Sequence, residues 1–121
     1  MPVQDFNGNT FVAFMDISGF KEMMKDRNQA IKSLDRLYQS GFNVLRDNND
    51  INGFFISDCG ILFVRNINVS IEQQLQSLLN VIENINRELL VEDIMLTTSI
   101  SYGPFSYHRR IEFAGIEKNP I

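Results

Sequence analysis

The sequence predicts an α+β fold, a mainly antiparallel sheet built as a split βαβ sandwich with its helices on one face. Three observations point there. An apolar strand opens the chain and passes through a glycine into helical spacing. Two short apolar runs flank a turn-rich "SDCG" in the middle. A strictly alternating strand follows the clearest helix. The 121 residues suit one domain, 1–121, and 44% hydrophobic residues supply a single core.

The first strand runs from about Thr10 to Asp16 and is apolar at nearly every position, which suggests a central strand covered on both faces. Gly19 breaks it, and Phe20, Met23 and Met24 then lie at helical spacing. A longer helix carries Ile31, Leu34, Tyr38, Phe42 and Leu45 every three or four residues, and the polar "RDNNDING" closes it. "GFFISDCGILFVRN" reads as a hairpin with its turn at Ser57 to Gly60. "VSIEQQLQSLLNVIENINRELL" is the clearest helix. Ser70 stands at its N-cap, Glu72 and Gln73 in its first turn, and Ile71, Leu75, Leu78, Ile82, Ile85 and Leu89 form its stripe. In "DIMLTTSISYG", Ile94, Leu96, Thr98, Ile100 and Tyr102 alternate with Met95, Thr97, Ser99 and Ser101. "FSYHRRIEF" reads as one more strand, with Phe105, Tyr107, Ile111 and Phe113 in register. The polar Thr97/Ser99/Ser101 face implies that the sheet's second side is a cleft or a subunit interface.

Eleven Lys plus Arg against fifteen Asp plus Glu leave a net charge of −4, which argues against binding a nucleic-acid polymer. A single nucleotide stays compatible, because metal ions can supply the missing positive charge. The one cysteine, Cys59, rules out an internal disulfide and fits a reducing compartment. With no signal peptide and no apolar run of membrane-span length, a cytoplasmic protein without a membrane partner is expected. The ending "IEKNPI" has no cap or polar tail, and a chain truncated at its C-terminus is expected.

Asp16 ends the first strand and Asp58 sits at the hairpin tip. In a split βαβ sheet these elements are neighbours, so two negative charges come together at adjoining strand ends. That costs free energy unless a cation lies between them. Carboxylate oxygens, a backbone carbonyl and phosphate oxygens are ligands suited to Mg²⁺. Gly19 lets the backbone approach a phosphate, and the helix start offers free N–H groups. The same residues also have a plainer reading: an Asp before a helix is a common N-cap, and "SD" is ordinary turn chemistry. Composition and spacing leave both open. Cys59 reads as a core residue, Lys21 as an exposed helix lysine, and His108 as a surface or interface histidine without a nucleophilic partner.

"FVAFMDISGF" resembles the opening strand and loop of the class III nucleotidyl cyclases, the adenylate and guanylate cyclases. "FFISDCGILFV" resembles that family's hairpin, where the second metal-binding aspartate sits at the turn, with two helices between the motifs as here. The likeness spans about Thr10 to the end. The opening motif "AFMDISGFK" is also similar to the bacterial pyrimidine (uridylate and cytidylate) cyclases of anti-phage defence.

The resemblance implies the ferredoxin-like cyclase fold and conversion of a nucleoside triphosphate to a 3′,5′-cyclic monophosphate and pyrophosphate. It also implies two Mg²⁺ or Mn²⁺ ions and a head-to-tail homodimer that shares each active site. On matching positions, Asp16 and Asp58 would be the catalytic metal ligands, and the Ile17 carbonyl would complete one metal's shell. Ser18, Gly19 and Phe20 would wrap the phosphates through backbone N–H groups. Phe54 stands where adenylate cyclases carry an adenine-reading lysine; a phenylalanine can stack or shape a pocket but cannot hydrogen-bond a base edge. The resemblance therefore implies UTP or CTP rather than adenine recognition of the usual kind.

The family's ribose-positioning asparagine and charge-stabilising arginine lie on a helix beyond the last strand here. The chain as written is thus expected to turn over substrate poorly, and Arg109 and Arg110 are not assigned that role. "DISGFK" is similar to diguanylate cyclases as well, but "ISDCG" lacks their Gly-Gly-Asp/Glu-Glu-Phe hairpin. Two other readings stand beside the enzyme. One is a catalytically silent cyclase-like module that binds a nucleotide or a partner. The other is an interaction domain in which Asp16 caps a helix and Asp58 closes a turn.

Overall fold

A computed structural model describes residues 5–108. Its elements are β1 (Phe6–Ile17), α1 (Phe20–Met23), α2 (Arg27–Arg46), β2 (Ile51–Ile56), β3 (Cys59–Val64), α3 (Ile71–Leu90) and β4 (Leu96–Tyr107). The four strands form one sheet in the order β2-β3-β1-β4, antiparallel at every junction. The chain crosses through α1 and α2 to the edge strand β2, returns beside β1 as β3, and crosses again through α3 to β4. That is the split βαβ topology read from the sequence, with α2 and α3 on one face.

Alternation along β1 sends Ala13, Met15 and Ile17 into the core, where they meet Leu62 and Val64 of β3 and Leu37 of α2. Leu78, Val81, Ile85 and Leu89 of α3 close it, all nearly inaccessible. Phe14, on the other face, is 44% exposed. β1 is therefore central, but on its helix-free face the described residues bury Thr10 and leave Phe14 open. An unbroken apolar run cannot tell cover from the same chain apart from cover supplied by something else.

The helices start where side chains satisfy their first N–H groups. Asp26 accepts from the N–H groups of Asn28 and Gln29 at 3.1 and 3.3 Å, and Ser70 from Gln73 at 3.1 Å. The buried face of α2 differs from its apolar stripe. Ala30, Ser33, Leu37, Ser40, Gly41 and Val44 point inward, Leu34, Tyr38 and Leu45 flank them, and Ile31 and Phe42 are exposed. Small residues let the helix approach closely. A Cβ on Gly41 would fall 2.1 Å from the Phe55 ring of β2. On α3, Leu78, Ile82, Ile85 and Leu89 are buried as expected, while Ile71 is exposed.

β1 and β4 pair along their full length, from Phe6 opposite Tyr107 to Ile17 opposite Leu96. The alternating strand and the start of "FSYHRRIEF" are thus one strand; Ile111 and Phe113, like Arg109 and Arg110, lie outside the described residues. β1 starts earlier than Thr10 for the same reason. Polar "FNGN" has weak strand character alone, but β4 supplies its backbone partners, and Ser106 Oγ donates to Asn7 Oδ1 at 3.1 Å. Beyond β3 this long ribbon curls back. Phe6 and Phe105 pack on Phe63 at 5.1 and 4.9 Å between ring centres, and Tyr107 meets Phe54 of the opposite edge strand at 5.2 Å. No helix among the described residues is long and apolar enough to cross a membrane.

Candidate active site

Asp16 is paired with Cys59 on one side and Thr97 on the other. Directly paired residues of antiparallel strands share a face. Met15 and Ile17 point into the core, so Asp16 faces the helix-free side with Cys59 and Thr97. Asp58 lies in the turn between β2 and β3, and its carbonyl accepts the Ile17 N–H at 3.1 Å. One backbone hydrogen bond thus ties the end of β1 to the residue that carries the second carboxylate. Both aspartates are half-buried.

Cys59 reports on both of them. Burial pushes its thiol up from the usual value, the charges of Asp58 and Asp16 push it further, and so does its hydrogen bond to Asp58. The Sγ to Oδ1 distance of that contact is 3.8 Å. Cys59 is therefore not the core residue expected of a lone cysteine. Register with Asp16 turns its side chain to the open face, half-buried. Among the described residues neither aspartate forms an ion pair. No group of three or more His, Cys, Asp or Glu side chains among them could enclose a metal ion.

Asp16 is not a helix cap. Gly19 holds the N-cap of α1 without a side-chain cap bond, and its φ of 74° lies in the left-handed region that glycine tolerates. Capping falls to Asp26, at the next helix. Between Asp16 and α1, Ser18 is fastened to β4: its N–H donates to the Met95 carbonyl at 2.8 Å, and its hydroxyl shares a 2.7 Å hydrogen bond with Thr97. Of the three backbone donors expected to face a phosphate, those of Gly19 and Phe20 have no backbone acceptor among the described residues; that of Ser18 is engaged.

Phe54 lies opposite Ile61, which lies opposite Phe14, so its ring shares the helix-free face with Asp16. Lys21 is exposed, and His108 is exposed with Nε2 3.6 Å from Asp5 Oδ2. Thr97 was signalled as part of a polar face. Two companions escaped the sequence reading. Tyr107, against Phe54, and Tyr38, whose hydroxyl donates to the Ser57 carbonyl at 2.7 Å, had no local signal.

Solved structures share this fold. The adenylyl cyclase CyaB from P. aeruginosa superposes with a TM-score of 0.69 at 13% identity, over 86% of this chain and 60% of that one. This is the class III nucleotidyl cyclase fold. A bacterial light-regulated adenylyl cyclase matches with a TM-score of 0.65 at 15% identity, over 82% of this chain and 55% of its own. A dimeric guanylyl cyclase domain of the RhoGC fusion protein from the aquatic fungus Blastocladiella emersonii matches at 0.65 and 13%, over 87% and 63%. The chain thus spans about six-tenths of these proteins' lengths. No protein-family profile and no curated protein matches the sequence. At such identities the likeness establishes the cyclase fold, and chemistry has to be argued from the residues it carries.

Proposed function

We propose that this protein is a nucleotide cyclase that converts a nucleoside triphosphate, UTP or CTP in preference, to a 3′,5′-cyclic monophosphate and pyrophosphate. Two Mg²⁺ or Mn²⁺ ions would assist it, and anti-phage signalling in the cytoplasm is its proposed setting. The observation that carries this reading is the junction of β1 with the β2–β3 turn, where the Ile17 N–H to Asp58 carbonyl bond brings Asp58 beside Asp16. Two half-buried carboxylates without a cationic partner among the described residues suit a hard divalent ion, with its remaining ligands drawn from the Ile17 carbonyl, water and phosphate. When bound, such ions lower the pKa of the attacking ribose hydroxyl and neutralise the triphosphate.

The chain's own part is positioning. Asp16 and Asp58 hold the phosphate end at the tip of the sheet. Gly19 and Phe20 offer backbone N–H groups, and Ser18 holds that loop to β4. Phe54 and Tyr107 present ring faces on which a base can stack, without polar groups from Phe54 to read an adenine edge. A head-to-tail homodimer that shares each active site is part of this reading.

The test is incubation of the full-length protein with each of the four nucleoside triphosphates and Mg²⁺ or Mn²⁺, followed by analysis for cyclic product. Cyclic UMP or CMP is expected from the wild type and none from Asp58→Ala. No product from any triphosphate, or unchanged product from the variant, rejects the enzyme. A silent nucleotide-binding module is the second reading, favoured by the engaged Ser18 N–H and by the lack of a third ligating side chain among the described residues. It predicts that a nucleotide raises the melting temperature while no product forms.

A further inference from the structure

The turn that carries Asp58 is a weak place to mount a group that must be aimed. Only Ser57 and Asp58 connect β2 to β3, and Ser57 has a φ of 53°, a left-handed conformation that a residue with a Cβ adopts reluctantly. The backbone of Asp58 is fastened on one side, through its carbonyl to the Ile17 N–H, while its carboxylate accepts only the long 3.8 Å contact from Cys59 Sγ. The other fastening comes from a different layer of the fold. Tyr38, half-buried on α2, donates its hydroxyl to the Ser57 carbonyl at 2.7 Å. Its ring lies 6.2 Å from that of Phe55, and Phe55 in turn meets Phe42 edge-on at 5.4 Å. The Phe55 ring also covers Gly41 of α2 and Gly60 of β3 so closely that a Cβ at either would overlap it. The hydroxyl is therefore delivered from a helix that cannot shift against the hairpin without disturbing this aromatic wedge.

We propose that Tyr38 is a positioning residue for Asp58: its hydroxyl grips the Ser57 carbonyl, holds the left-handed turn, and so sets where the Asp58 carboxylate points. The consequence for metal binding rests on the cyclase reading above. The grip on the turn does not, which lets the two be tested apart.

The experiment uses the chain with Mn²⁺ as probe, titrated calorimetrically, and hydrogen exchange of the Ile17 amide followed by NMR. Tyr38→Phe keeps the ring and removes only the hydroxyl. It is expected to speed Ile17 exchange about tenfold while the Ala13 amide, deep in the β1–β3 pairing, stays as in the wild type. It is also expected to weaken Mn²⁺ binding about fivefold, the size of one lost neutral hydrogen bond. That second effect is expected to vanish when Asp58→Asn is already present. Tyr38→Leu, which removes ring and hydroxyl together, provides a second variant and is expected to show at least the same loosening of Ile17.

Wild-type exchange at Ile17 in Tyr38→Phe overturns the role of Tyr38, whatever the metal does. So does loosening in Tyr38→Leu alone, since the ring and not the hydroxyl would then be responsible. Unchanged Mn²⁺ affinity in Tyr38→Phe, where Asp58→Asn binds weakly, overturns it as an aiming device. If the wild type binds no Mn²⁺, or Asp58→Asn binds as well as the wild type, the metal reading falls, and the Ile17 amide still decides the fate of the turn.

Discussion

Asp16 is one residue among fifteen acidic ones, and its position says more than its charge. It is the residue of β1 that faces outward just where the strand ends, between Cys59 and Thr97. If Asp16 and Asp58 share a divalent ion, that ion binds the folded state only. Mg²⁺ at about 100 times its Kd then adds about 2.7 kcal/mol of stability. Melting with and without chelator is expected to show this gain in the wild type and to lose it in Asp16→Asn. Cys59 yields a separate expectation in alkali. Its thiol is held above the usual value by burial and by Asp58 and Asp16, so the native state keeps a proton that the unfolded chain gives up. Stability from this group is full at neutral pH and falls as the pH rises past the unfolded thiol's value, about 8.5. Urea midpoints on either side of that pH are expected to drop in the wild type and to drop less in Cys59→Ser.

Among the elements, α2 shows how packing overrides pattern. Its apolar positions were legible, and so was its existence as a helix. The face it buries was not, because small residues and not large ones set the closest approach to the sheet. Gly41→Ala puts the two effects in opposition. Removing a glycine from a helix interior gains about 1 kcal/mol. The new Cβ would sit 2.1 Å from the Phe55 ring, and overpacking a fitted contact costs about 1–3 kcal/mol. A net loss of up to about 2 kcal/mol in denaturant unfolding is expected. A gain in stability would show that the helix can roll away from the hairpin. β4 shows the converse. Its alternation was plain from Ile94 to Tyr102, whereas its continuation to Tyr107 depends on β1, which pairs with it residue by residue.

Over the whole molecule, one sheet face is a core and the other carries the carboxylates, the hydroxyls of Thr97, Ser99 and Ser101, and the exposed Phe14, Ile56 and Met95. Under the proposed function, this face meets a second copy. Sedimentation at high concentration is expected to show a dimer, and Phe14→Arg is expected to give a monomer whose melting temperature matches that of the wild type diluted until it is monomeric. Phe14 contributes nothing to the helix-side core, so a melting temperature below that of the diluted wild type would mean that it supports the fold instead.

The amino-acid order alone determined the kinds of element, their succession and the placing of two aspartates at strand ends, because side-chain period and turn chemistry act over a few neighbouring residues. The tertiary structure decided how the turn that carries Asp58 is tied to the end of β1, which face Cys59 takes, how far β4 runs and which side of α2 is buried. Each of these depends on contacts between distant parts of the chain, such as Ile17 with Asp58 and Tyr38 with Ser57, and no local pattern records them.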